Sequence, residues 1–189
     1  MEVDLIISGC KKSQKDAQEA LVHRFGPKLL AVCNRYCNDS NLAYDALQEC
    51  FINIFKYIHS FKSMGSFEGW LRKIAVRSSL AIIKKYKPFS FFGDSSDLDF
   101  INGGTIPDAY EQIALDEIYY FLQQLPPSLR LVFNMYLVEG YSHKEIGVML
   151  KITDSTSRAN LARARAKLVL LINKETQKRI NYRIIENQI

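Results

Sequence analysis

Small and cationic side chains share one side of residues 155–163. On a 100° helical wheel, Ser157, Leu161, Ala164, Leu168 and Ile172 form one stripe. The opposite arc holds Ser155, Thr156, Ala159, Ala162 and Arg163, with Arg158 beside it. Small residues let a helix sink into a major groove, and arginines there reach guanine edges or phosphates. The chemistry this pattern suits is duplex readout; an ordinary helical hairpin with a solvated basic face would carry the same wheel.

Two further clusters could do chemistry. Lys73, Arg77 and Lys84 share an arc of the stretch 67–87, with Lys85 and Lys87 extending the charge. Phe61, Phe67 and Trp70 lie in and after the neighbouring segment 61–66, which also holds Lys62 and Ser63. Cations beside rings suit single-stranded nucleic acid, because phosphates track the cations and unpaired bases stack on the rings. The competing reading puts Phe67 and Trp70 in the core. In the stretch 40–61, Leu47, Phe51, Ile54, Phe55 and Ile58 make an apolar stripe. Its opposite arc is Asp45, Gln48, Glu49, Ile52 and Lys56, and an apolar Ile52 among acids and an amide fits either a protein-docking face or a solvated one.

Nothing resembles an assembled active site. The chain has no G-x-S-x-G, Walker A, H-E-x-x-H or G-x-G-x-x-G pattern. Cys33 and Cys37 sit at i, i+4, but no histidine or second close cysteine pair completes a tetrahedral set. Together with Cys10 and Cys50 they read as reduced, partly buried thiols.

The elements that position these residues read as helices throughout. Ser13–Phe25 ends at Gly26-Pro27, and Pro27–Tyr36 follows up to the polar cluster 38–40. A long helix covers about 40–61, Gly65-Ser66 breaks the chain with Ser66 as N-cap, and a fourth helix runs over 67–87. Residues 88–108 change to turn chemistry with acids, and a structureless stretch of that length marks a boundary between domains. Helices then cover 108–124, 128–138, 142–150 and 154–172. Ser142-x-x-Glu145 is a capping box, and Thr153 or Asp154 caps the last helix. The two helices 142–150 and 154–172, joined by a short turn, have helix-turn-helix spacing.

Composition closes off other classes. With 189 residues, 48% hydrophobic and 24% charged, the chain suits one domain or two small ones, not a disordered polymer. No apolar run approaches the roughly 18 residues of a bilayer span. The acids Glu2 and Asp4 replace the basic flank of a secretory signal, so an intracellular protein is expected. The net charge of +5 divides into +6 over residues 1–88, −4 over 89–109 and +3 over 110–189. Two basic blocks suggest a polyanionic partner, which the acidic strip must avoid or imitate.

Taken together, residues 10–172 resemble the sigma factors of bacterial RNA polymerase, in the small extracytoplasmic-function class. Asp45-Ala46-Leu47-Gln48-Glu49-Cys50-Phe51 resembles the polymerase-binding segment of region two. Phe67-Glu68-Gly69-Trp70-Leu71-Arg72-Lys73-Ile74-Ala75 resembles the promoter-melting segment after it. Leu125-Pro126-Pro127, the run Glu139–Ile146 and the run Asn160–Leu168 resemble region four. The resemblance implies an all-α fold of two small helical domains joined by an acidic linker, the second containing a helix-turn-helix. The implied boundaries are 1–87 for region two, 88–108 for the linker, 109–173 for region four and 174–189 for a tail.

It also implies roles. Asp45, Gln48, Glu49 and Ile52 would dock on the beta-prime clamp of core RNA polymerase. Phe61, Lys62 and Ser63 would capture a base flipped from the −10 element, and Lys73, Arg77 and Lys84 would hold that strand. Ser155, Thr156, Arg158, Ala159, Ala162 and Arg163 would face the −35 element. The linker would thread toward the polymerase's nucleic-acid channel, and 128–138 would meet the beta flap. Such a protein binds promoter DNA and is cytoplasmic; it has no catalytic residue, cofactor, metal, small-molecule substrate or membrane insertion, and the class leaves room for an anti-sigma factor. Three positions depart from the family's pattern. Asn and Asp are frequent where Arg77 and Ala81 stand, and Lys151 occupies a turn position usual for glycine. A helix-turn-helix regulator that binds duplex without polymerase is the competing class.

Overall fold

A computed structural model describes residues 2–86 and 115–186, helical in both stretches. The chain divides into two compact units, Met1–Pro88 and Phe89–Ile189. The acidic strip, Lys87 and the expected start of a helix at Asp108 lie outside the described residues.

The first unit packs α1 (Val3–Lys11), α2 (Lys15–Cys37), α3 (Ser40–Tyr57) and α4 (Phe67–Tyr86) around one core. Leu21, Leu29, Tyr36, Ile54, Ile58, Leu71 and Val76 are fully enclosed in it. α1 was not foreseen as a helix. It buries Ile6, Ile7 and Cys10 and crosses α2 where Gly9 meets Ala17. A Cβ on Gly9 would lie 2.4 Å from the Cβ of Ala17, so only glycine permits that approach.

Gly26-Pro27 does not break the chain as expected, and α2 runs unbroken through it. An interior proline costs about 3 kcal/mol. Two features offset that. Gly26 has no Cβ for the proline ring to crowd, and α2 buries Leu21 and Phe25 on one side of Pro27 with Leu29 and Val32 on the other. α2 stops at Asn38, which is left-handed (φ 50°), and Asp39 caps α3 by accepting from the N–H groups of Asn41 and Leu42.

The seam of α3 is Ala43, Ala46, Cys50 and Ile54; of the stripe read from the wheel, Ile54 and Ile58 are buried as expected. Leu47, Phe51 and Phe55 flank it, half-buried. Small residues let helix axes approach closely, so the shallowest side chains take the centre of the contact. After Tyr57 the helix tightens into a 3-10 turn, Ile58–Ser60.

The second unit joins α5 (Leu115–Gln123), α6 (Pro127–Phe133), α7 (His143–Leu150) and α8 (Asp154–Glu186). Pro127 opens α6, as its missing N–H allows. The expected helix 128–138 relaxes into a single π turn over Asn134–Val138. Ser142 and Glu145 form the capping box of α7. Thr153 accepts from the N–H of Thr156 at 3.0 Å and caps α8. α8 continues as helix to Glu186, through the segment from 174 that the sequence reads as a tail or frayed helix. That stretch has no Gly or Pro to stop it and is rich in Lys, Glu, Gln and Arg, all good helix formers.

Candidate nucleic-acid interface

The helix-turn-helix of the second unit is α7, the turn 151–153 and α8. Gly147 meets the carbonyl of Ile152, where a Cβ would be only 2.8 Å from the oxygen. Lys151 makes the turn in the left-handed conformation (φ 58°, ψ 45°). Ser157, Leu161, Ala164 and Leu168 are buried and Ile172 is half-buried, as the wheel indicates. On the opposite arc Ser155, Arg158, Ala162 and Arg163 are exposed, and Thr156 and Ala159 are half-exposed. The six expected residues therefore share one accessible face.

The two arginines on that face are held by neighbours. Arg158 Nη2 pairs with Asp154 Oδ2 at 2.6 Å. Arg163 Nη1 donates to Asn160 Oδ1 at 3.4 Å. Asn160 is buried, and its Nδ2 has no partner among the described residues. Sequence reasoning passed over it; its signal was a polar residue three positions after Ser157 and four before Ala164, at the border of the buried stripe. Beneath Arg158, His143 stacks on Tyr136 at 4.3 Å between centroids and shares a 2.9 Å hydrogen bond with Ser157 Oγ. Burial pushes the His143 pKa down, helped by the Arg158 charge and opposed by Asp154. Arg130, also unforeseen, is buried and ties the α5–α6 corner by donating to the carbonyls of Gln123 and Leu125.

In the first unit, Lys73, Arg77 and Lys84 are exposed along one stripe of α4. An open pocket of about 380 Å³ lies at its N-terminal end, lined by Lys62, Met64, Gly65, Trp70 and Lys73 with Phe61 beneath. Ser66 accepts from the N–H of Gly69 and caps α4. Ser63 is exposed and left-handed (φ 56°) at the tip of the loop, outside the pocket lining.

Phe61 corrects the expectation of a free stacking ring. It is only 6% exposed, 5.0 Å from the Phe67 ring and 5.6 Å from Trp70. Contact with two aromatic rings is worth more to that ring than exposure at a loop, so Phe61 becomes the pocket's floor. Phe67 is core as well, stacked on Trp70 at 5.8 Å, while Trp70 is half-exposed at the wall. Met64, 89% exposed, is the apolar side chain the loop offers to a ligand.

On α3, Asp45 and Gln48 are exposed and Ile52 is 60% exposed. Tyr44, unforeseen, joins them one turn before Gln48 and is 54% exposed. Glu49 lies on the same arc but is half-buried; it accepts from Asn53 Nδ2 at 3.0 Å, and Asn53 also reaches Ser78 on α4. The four cysteines are buried, and burial pushes the thiols of Cys33 and Cys50 up. No metal-holding group of His, Cys, Asp and Glu occurs among the described residues.

Comparison with known proteins identifies the family. The family model for Sigma-70 region 2 matches residues 21–88, and that for Sigma-70 region 4 matches 115–168. The RNA polymerase sigma-H factor of Pseudomonas aeruginosa is 25% identical over 170 residues, covering 85% of this chain and 88% of that one. The ECF RNA polymerase sigma-E factor of Escherichia coli K12 is 25% identical over 171 residues, 85% of this chain and 89% of that one. The fold is shared with the sigma factor RpoE solved with the anti-sigma factor NepR from Bartonella quintana. The TM-score is 0.52 at 19% identity, over 84% of this chain and 98% of that one. Two matched regions in order, both carrying exposed cationic faces, and relatives aligned over most of both chains lead to one assignment: the chain belongs to the sigma-70 family of RNA polymerase sigma factors, in its extracytoplasmic-function class.

Proposed function

We propose that the chain directs transcription initiation as a sigma factor, with a separate recognition surface on each unit. The observation that carries this reading is the pairing of two unlike cationic faces. α8 offers small residues and arginines suited to a duplex groove, whereas α4 offers a cation stripe ending in an apolar pocket suited to an unpaired base. On this reading Ser155, Thr156, Arg158, Ala159, Ala162 and Arg163 face the −35 element. Lys62, Ser63, Lys73, Arg77 and Lys84 hold the melted −10 strand over the floor made by Phe61. Asp45, Gln48, Glu49 and Ile52, joined by Tyr44, dock on the beta-prime clamp, with Glu49 held by Asn53, which itself reaches Ser78 on α4. The exposed Leu137 and Val138 of the π turn supply the apolar contact to the beta flap.

The protein acts in the cytoplasm, alters start-site choice and catalyses no reaction. Residues 88–108 join the two units as an acidic tether, and an anti-sigma factor covering one or both cationic faces is its natural inhibitor. The test is in vitro transcription with core polymerase and a promoter library randomised at both elements. Enrichment of one −35 and one −10 sequence is expected. Tight duplex binding without polymerase, and no start-site selection with it, would return the chain to the class of simple helix-turn-helix regulators.

A further inference from the structure

We propose that Lys11, in the last turn of α1, is a positioning residue for base capture by the loop 61–66; the proposal rests on the −10 reading above. Lys11 Nζ donates a 3.0 Å hydrogen bond to the carbonyl oxygen of Phe61, fifty residues along the chain. α1 lies before the residues that the region 2 model matches, so no role is assigned to it by that match.

The placement of this bond matters more than its strength. Phe61 is where the 3-10 turn ends: its N–H still donates to the Ile58 carbonyl at 3.2 Å, while its own backbone is already extended. Its ring is fixed in the pocket floor by Phe67 and Trp70. Its carbonyl belongs to the peptide plane that launches Lys62, the first exposed residue of the loop. Holding that carbonyl fixes the direction in which Lys62, Ser63 and Met64 leave the core. At the far end the Ser66 cap fixes the exit. Between these anchors stand four exposed residues, two with positive φ (Ser63 and Gly65), which have no comparable restraint of their own.

α1 is built to deliver that ammonium. Ile6, Ile7 and Cys10 bury its inner face, the Gly9–Ala17 contact sets its crossing on α2, and the helix also packs on the 3-10 turn. Lys11 is half-buried, so its stem lies along the protein with only the head reaching the carbonyl. A charged donor to a carbonyl in such a site is among the stronger hydrogen bonds. Its effect is preorganisation: without it the loop must be ordered when the base arrives, and affinity falls by that cost.

The test uses holoenzyme from the full chain and core polymerase. Fork-junction DNA carries the −10 sequence enriched from the library, either intact or abasic at one position at a time. Wild-type holoenzyme should bind about tenfold more weakly when the captured base is missing, the size of one good contact. Lys11→Met should lose about tenfold on the intact probe and little on that abasic probe, so discrimination collapses. Lys11→Arg should restore it, and Lys11→Gln, a shorter donor, should fall between. Helical circular dichroism and core-polymerase binding, measured on the same samples, should match wild type. The proposal is overturned if Lys11→Met discriminates as wild type does, or if it weakens intact and abasic probes equally, since a general structural defect would do the latter. A wild-type holoenzyme indifferent to every abasic position would instead remove base capture itself.

Discussion

Lys151 carries two roles that pull against each other. Its left-handed backbone costs an L-residue roughly 1–2 kcal/mol relative to right-handed conformations, which is why glycine is favoured in such turns. Yet its ammonium is exposed beside the groove-facing helix. Lys151→Gly should therefore stabilise the second unit by roughly 0.5–1 kcal/mol in thermal melts. It should also lower the slope of log affinity against log salt by about one for −35 duplex, as loss of one phosphate contact requires. Arg163 differs because it is oriented by buried Asn160. Arg163→Ala should cost about 1–3 kcal/mol of −35 discrimination, read as relaxed base preference in footprinting. His143 gives a pH signature. Its pKa is lowered in the folded state by burial, then by the Arg158 and Arg165 charges, with Asp154 pulling the other way. The unfolded chain therefore takes up the proton first. The stability that neutral His143 contributes is complete above about pH 6.5 and is lost as pH falls below it. The melting temperature of the wild-type chain should drop between pH 7.5 and 5.5 more than that of His143→Gln.

Helix faces show which parts of the molecule the sequence made legible. The stripe of α8 was readable because Ser157, Leu161, Ala164 and Leu168 alternate cleanly with arginines, and the capping box before α7 announced itself in two letters. The seam of α3 was not. Hydrophobic weighting favours Leu47 and Phe51, whereas close helix packing chose Ala43, Ala46 and Cys50. Gly26-Pro27 misled for a related reason: local propensity ends a helix there, and burial on both sides carries α2 through. Phe61 was assigned by residue type to a ligand and by the structure to the floor beneath it. The first two share a cause, packing against helices distant in sequence, whereas Phe61 is settled nearby, by the rings of Phe67 and Trp70. The docking face follows the same logic. Tyr44, Gln48, Asp45 and Ile52 form an exposed surface on a helix whose opposite side is rigidly packed. Ile52→Asp should weaken association with core polymerase about tenfold or more in a binding titration, since it places a charge at the only strongly apolar aliphatic position of that face. Circular dichroism should be unchanged, because Ile52 is 60% exposed and outside the buried seam of α3.

At the scale of the whole molecule, function depends on two modest binding surfaces acting as one. Residues 1–88 and 110–189 carry net charges of +6 and +3, so each is drawn to DNA, and 89–109 carry −4. A segment of about twenty residues reaches at most roughly 70 Å when extended. Linkage makes the second contact intramolecular, at an effective concentration near the millimolar range for short tethers. Cutting the chain within 89–109 and supplying both pieces at micromolar concentration with core polymerase should thus lower transcription from a promoter that needs both elements by about 10²–10⁴-fold. Inserting ten residues should cost far less, because closure entropy grows only with the logarithm of length. Replacing Asp94, Asp97 and Asp99 with Asn leaves the length unchanged and isolates the charge. If the strip works by resembling nucleic acid in the polymerase channel, this triple variant should initiate more weakly than the ten-residue insertion, and a run-off assay on one promoter ranks all three.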